Sequence, residues 1–107
     1  MRYKKPKKIT IGDTIFNIKY DKTRTGGEFV YPERGKPGKI IIGMRDVRPD
    51  GINYLSTVLH ELSEIIHLEQ STRLWNRGTD SYMFISDHAQ HTDLCCRLAG
   101  LLDKFIK

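Results

Sequence analysis

Apolar and polar residues change their period part-way along this chain. From Lys8 to Tyr20, KITIGDTIFNIKY sets Ile9, Ile11, Ile15, Ile18 and Tyr20 among polar residues. Gly12-Asp13 stands between the apolar runs as a turn dipeptide, so a hairpin or a bent pair of short strands is predicted. Asp21 to Gly27 is polar, and Glu28 to Tyr31 reads as a short strand stopped by Pro32. The segment Glu33-Arg34-Gly35-Lys36-Pro37-Gly38 is a loop by composition. Lys39-Ile40-Ile41-Ile42-Gly43 follows as a β-branched strand, and its near-continuous apolar run predicts burial on both faces.

Beyond Met44 to Gly51, where Pro49-Asp50-Gly51 is a turn, the period lengthens. NYLSTVLHELSEIIHL, from Asn53 to Leu68, predicts an amphipathic helix with Asn53 as its N-cap. Leu55, Val58, Leu59, Leu62, Ile65 and Ile66 fall on its core-facing side. Its end is expected between Gln70 and Asn76, with Arg73 and Arg77 near the C-terminus and Gly78 closing it. Thr79 to Phe84 has no clear period. Ser86 or Asp87 can cap a second helix reaching about Phe105, with His91, Leu94, Cys95, Leu98, Leu101, Leu102 and Phe105 on one stripe. Strands first and two helices after them predict an α+β fold, a small N-terminal sheet packed on the first helix and covered on another side by the second.

At 107 residues the chain is long enough for one core and not for two. The division expected is a basic flexible tail over residues 1–8 and a single domain over 9–107. No run of about 18 apolar residues is present, so no membrane span is expected. No apolar stretch follows the N-terminal lysines, so a secretory signal is not expected either, and cytoplasmic placement is the default. Cys95 and Cys96 are adjacent on a predicted helix and point about 100° apart, which disfavours a mutual disulfide and fits core positions in a reducing compartment.

The formal charge of +5 comes from the N-terminus. Arg2, Lys4, Lys5, Lys7 and Lys8 lie in the first eight residues, which leaves 13 of the 18 basic residues against 13 acidic ones in the body. Such a tail offers weak, salt-sensitive nucleic-acid contact and no more.

The chemistry concentrates on the first helix. Offsets of four and seven residues bring His60, Glu64 and His67 within roughly 60° of one another, so three groups able to bind metal share a stripe. Glu61 falls about 100° from His60, on the flank between this stripe and the apolar one. The motif His60-Glu61-x-x-Glu64 is similar to the zincin helix, where two histidines one turn apart bind zinc and the glutamate activates water. The competing reading is a charged, solvated helix face. On the second helix, His91 stands at the N-terminal end of a stripe expected to be buried, where its ring nitrogens would need partners, with His88 about 60° away. Tyr82 is a candidate donor to a substrate carbonyl.

Taken together, the short strands, the Ile-rich strand read as edge-like, Thr57-Val58-Leu59-His60-Glu61-Leu62 and the later His91-x-x-Leu94-x-x-x-Leu98-Ala99 resemble small phage-encoded zincin-type metallopeptidases, related to SprT-like domains. The resemblance covers Ile9 to the C-terminus, and its specific part is the His60-Glu61 pair and the spacing to the second helix. It implies a zincin-like fold and one divalent metal, zinc, held by His60, Glu64 and His91, with His88 and His67 in reserve. It also implies Glu61 as general base, a peptide or protein substrate, and, for a phage protein, the host cytosol. Glu64 stands where that family has histidine; two histidines and a carboxylate are still a catalytic zinc set. The alternative function is a non-catalytic zincin-like metal-binding module acting in protein or nucleic-acid interaction. A di-iron site on Glu64-x-x-His67 would need a second such pair and a four-helix bundle, which this chain does not offer.

Overall fold

The computed structural model describes residues 3–33 and 35–106. Arg2 of the basic stretch, Arg34 of the loop expected after Glu33, and the terminal residue of the expected domain lie outside them. β1 (Lys8–Ile11) and β2 (Thr14–Asp21) form the expected hairpin, with Ile11 paired to Thr14 and Gly12 at φ 59°, a left-handed value that glycine adopts without a Cβ penalty. β3 (Gly27–Val30) and β4 (Gly38–Gly43) form a second antiparallel pair. β4 then inserts beside β2 in parallel, giving the order β1-β2-β4-β3.

The inner face of this sheet carries Ile9, Ile11, Phe16, Ile18, Ile40 and Ile42, all buried. In register, Ile18 lies beside Ile40, and Ile40 beside Phe29. The Ile-rich β4 is a central strand and β3 is the edge, contrary to the edge-like placement of β4. Burial on both faces does not hold either: Lys39 is exposed and Ile41 half-buried, because among the described residues the helix packs on the inner face and no second layer covers the outer one.

Helix α1 (Ile52–Glu69) lies across the inner face. Tyr54, Leu55, Val58, Leu62, Ile65 and Ile66 are buried against it, while Leu59 is 38% exposed and belongs to the outer side. The helix starts one residue before Asn53, with Gly51 at the N-cap position. The Asn53 side chain instead accepts from the amides of Arg48 and Tyr54 and donates to the Asp46 carbonyl, bracing the preceding loop, and Asp50 Oδ1 accepts from the Ile52 amide.

After α1 the expectation of a helix tail fails. Gln70 is the C-cap, Ser71 turns the chain at φ 60°, and residues 73–84 fold into a separate hairpin of β5 (Arg73–Asn76) and β6 (Ser81–Phe84). The Arg77-Gly78-Thr79-Asp80 segment is its turn rather than a helix terminus. The β-prone Leu74-Trp75 and Tyr82-Met83-Phe84 on either side of these polar residues were the available signal.

Helix α2 (His88–Leu102) begins with a complete capping box: Asp87 Oδ1 accepts from the Gln90 amide and Gln90 Oε1 accepts from the Asp87 amide. Its buried stripe is narrower than expected. Leu94 is buried and Leu98, Leu101 and Leu102 pack partly on the core, but His91, Cys95 and Cys96 are exposed. The two thiols are unpaired, and neither is a core residue. Phe105, past the helix end, is fully buried against Tyr54, with ring centroids 6.5 Å apart.

The basic stretch expected as a tail is tied down from Tyr3 onward. Tyr3 pairs with Ile106 and stacks on Tyr54 at 4.5 Å, the Lys4 amide donates to the Phe105 carbonyl, and the hydroxyls of Tyr54 and Tyr20 donate to the carbonyls of Lys4 and Pro6 at 2.7 Å each. Among the described residues no helix is long and apolar enough to cross a membrane.

Candidate metal centre

α1 sets three candidate side chains on adjoining positions. His60 and Glu64, one turn apart, meet outside the helix with His60 Nε2 3.0 Å from Glu64 Oε2. Glu61 Oε2 is 3.8 Å from the same nitrogen. One donor atom from each of the three lies within 4.8 Å of the others. Tetrahedral zinc with N and O ligands near 2.0–2.2 Å requires donor separations of about 3.3 Å. The His60–Glu64 pair is within a few tenths of that value, and the donor types suit the metal.

The surroundings of the three differ sharply. The His60 side chain is 69% exposed, whereas Glu61 is only 3% exposed. The flank on which Glu61 stands is covered by β3, and Gly27 makes the close approach possible: a Cβ there would sit 3.2 Å from Glu61 Cγ and 3.0 Å from Thr57 Cγ2. Below it, Glu61 lines with Ile40, Ile42, Val58 and Leu62 a gap in the core too small for a water molecule. Burial therefore pushes its carboxyl above the usual carboxylate range, His60 draws it back, and Glu64 and Glu28 push it further up. A solvated helix-face glutamate would have none of this.

Glu64 is held from its other side. Arg73, at the start of β5, donates from Nε to Glu64 Oε1 at 3.1 Å, leaving Oε2 for His60. The Arg73 guanidinium lies over the rings of Tyr82 and Phe29, 3.5 and 5.2 Å from their centroids. Arg73 thus joins edge strand β3, the helix and the hairpin at one point. It was missed in the sequence because it was read as a helix-terminal charge.

The remaining histidines do not join this group. His67, one turn beyond Glu64, has its ring stacked on Phe84 at 4.6 Å and its Nδ1 2.7 Å from Thr72 Oγ1. The Thr72 hydroxyl donates to the His67 carbonyl at 3.2 Å, so Nδ1 is the donor of the shorter bond. Burial, with His91 adding to it, lowers the His67 pKa below its usual value, while Glu64 opposes them. His91 Nε2 lies 3.7 Å from Cys95 Sγ on the exposed side of α2. His88 occupies the first turn of α2, where its carbonyl accepts from the Thr92 hydroxyl. Tyr82 approaches the centre through Arg73 rather than through its own hydroxyl.

Comparison with protein-family models, with curated proteins and with solved structures found no match.

Proposed function

We propose that this chain is a zinc-dependent metallopeptidase of zincin type, with His60 and Glu64 as metal ligands and Glu61 as the proton carrier. The observation that carries this reading is the environment of Glu61, a carboxylate excluded from water yet 3.8 Å from the imidazole nitrogen of an exposed histidine. Burial raises its proton affinity above that of a solvated glutamate, the direction a general base needs. Glu61 Oε2 lies 3.8 Å from His60 Nε2, close enough to reach a water held beside that nitrogen. His91, the third ligand implied by the zincin resemblance, is exposed on α2 beside Cys95 and is not among the residues that would hold the metal.

A bound divalent metal supplies Lewis acidity to water and to a peptide carbonyl. Glu61 takes one proton from the attacking water as the new C–O bond forms, and returns it to the leaving nitrogen as the C–N bond breaks. Arg73 fixes the Glu64 carboxylate by one oxygen and leaves the other turned to His60. A peptide is the substrate favoured because β3 is an edge strand, pairing with β4 alone among the described strands, and its Gly27 packs against Glu61, so an extended chain added to that strand would run near the site.

Zinc titration followed by hydrolysis of a peptide library tests the reading. One equivalent of zinc is expected in the wild type. Its loss is expected in His60→Ala, and no change in His91→Ala. Glu61→Gln should retain metal and fold while turnover falls by on the order of a hundredfold or more. Zinc binding with no hydrolysis by the wild type would instead favour the non-catalytic module, and unchanged zinc content in His60→Ala would dismiss the site.

A further inference from the structure

The β5–β6 hairpin exposes more large apolar surface than any other part of the described chain. Leu74, Trp75, Tyr82, Met83, Phe84 and Ile85 are each between 37% and 54% exposed. A two-stranded hairpin gains little stability by itself, and a contiguous apolar patch on a small protein marks a binding surface more often than a structural one. The register divides the patch. Arg73 pairs with Phe84 and Trp75 with Tyr82 on one face, with Leu74 and Met83 on the other.

The first of these faces runs straight out of the metal centre. Phe84 rests on His67, Arg73 holds Glu64 and lies over Tyr82, and Trp75 packs edge-on against Tyr82 with centroids 5.1 Å apart. The guanidinium charge inside this row is taken up by Glu64, so beyond it the row presents two half-exposed aromatic rings and no unpaired charge. Rings with two rotatable bonds bind apolar groups at small entropic cost. Across Arg73 stands Phe29 on β3, whose free edge can pair with an extended backbone.

We propose that Trp75 and Tyr82 are the substrate-selecting wall of the site, gripping a bulky apolar side chain of an extended peptide laid along β3. The substrate class is polypeptide in extended form carrying exposed leucine-like or aromatic residues, as unfolded segments do. This assignment rests on the metallopeptidase reading for the cleavage step, but not for the binding step.

Trp75 is the single tryptophan of the chain, so its emission reports on the wall directly. The probes are the capped hexapeptide Ala-Ala-Leu-Leu-Ala-Ala and its Ala-Ala-Ser-Ser-Ala-Ala counterpart, titrated into Glu61→Gln so that neither is consumed. A saturable blue shift is expected with the leucine peptide, with affinity on the order of tenfold or more above that for the serine peptide. Tyr82→Ala should weaken the leucine response about tenfold with the thermal midpoint unchanged. Should Tyr82→Ala fail to fold, Trp75→Ala in the zinc-loaded chain provides the second measurement, with KM for the leucine peptide raised about tenfold and kcat within about twofold. An absent emission change, an equal response to both peptides, or a KM unmoved in Trp75→Ala overturns the wall. Emission that depends on protein concentration, together with a dimeric mass by light scattering, overturns it in favour of a second copy covering the hairpin. Hydrolysis of both peptides without preference and without emission change defeats the wall and leaves the metallopeptidase reading standing. A selective emission response with no hydrolysis by zinc-loaded wild type defeats the metallopeptidase reading and leaves the binding wall.

Discussion

Two residues that are neither metal ligand nor proton carrier govern the candidate centre. Gly27 lets β3 press on α1, and the Cβ of an alanine there would meet the Ile41 carbonyl oxygen and Thr57 Cγ2 at 3.0 Å as well as the Glu61 side chain. Gly27→Ala is expected to cost about 1–3 kcal/mol in urea unfolding, the usual range for overpacking. It should also lower turnover beyond what that loss explains, because the strand and Glu61 must move apart. At the other end of the triad, Arg73 is the only described side chain paired with Glu64 besides His60. Replacing it with leucine leaves the carboxylate free to turn, and zinc affinity is expected to fall about 10- to 100-fold, the range for a lost outer-shell partner, as measured by competition with a chelator. An affinity unchanged in Arg73→Leu would show that Glu64 is oriented by the helix alone.

At the scale of elements, local signals and tertiary ones separate cleanly. α2 carries its own start signal, with the Asp87 and Gln90 side chains satisfying two end amides reciprocally. Asp87→Ala is expected to destabilise by about 1 kcal/mol, seen as a lower urea midpoint at constant slope. α1 has no such side-chain cap at its N-cap position, where Gly51 sits at φ 73°. Its start is fixed by the Arg48–Asn53 loop, which is why Asn53 looked like a cap and is a brace. The hairpin was the element least visible in sequence: its strands are four residues each, and both of its faces are apolar, so the alternation that betrays a half-buried strand is blurred.

For the molecule as a whole, the termini close the fold around one tyrosine. Tyr54 is 1% exposed, packs against Tyr3, Tyr20 and Phe105, and donates its hydroxyl to the Lys4 carbonyl. Burial pushes its phenol far above the ordinary value, and Tyr20 beside it is raised as well. Because the folded pKa exceeds the unfolded one, the stabilisation is complete below about pH 10 and is lost as pH rises beyond it. Urea midpoints should therefore begin to drop as pH passes about 10 and go on dropping above it. In Tyr54→Phe they should drop less steeply, although that variant starts from a lower midpoint at neutral pH, having left the Lys4 carbonyl without its donor.

The sequence by itself determined the α+β order, the β1–β2 turn, the approximate extents of β3, β4 and both helices, and the grouping of His60, Glu61 and Glu64. All of these depend on spacings of two, three or four residues, which backbone geometry converts into a face or a turn without help from the rest of the chain. The tertiary structure alone decided that β4 enters between β2 and β3, that Leu59 and His91 face outward, and that the basic stretch is clamped from Tyr3. It also decided that Glu61 is buried under Gly27 and that Arg73 reaches back to Glu64. These outcomes depend on which surfaces meet across long separations in sequence. A helical period shows that a residue lies between two faces; only the strand packed there shows whether water reaches it.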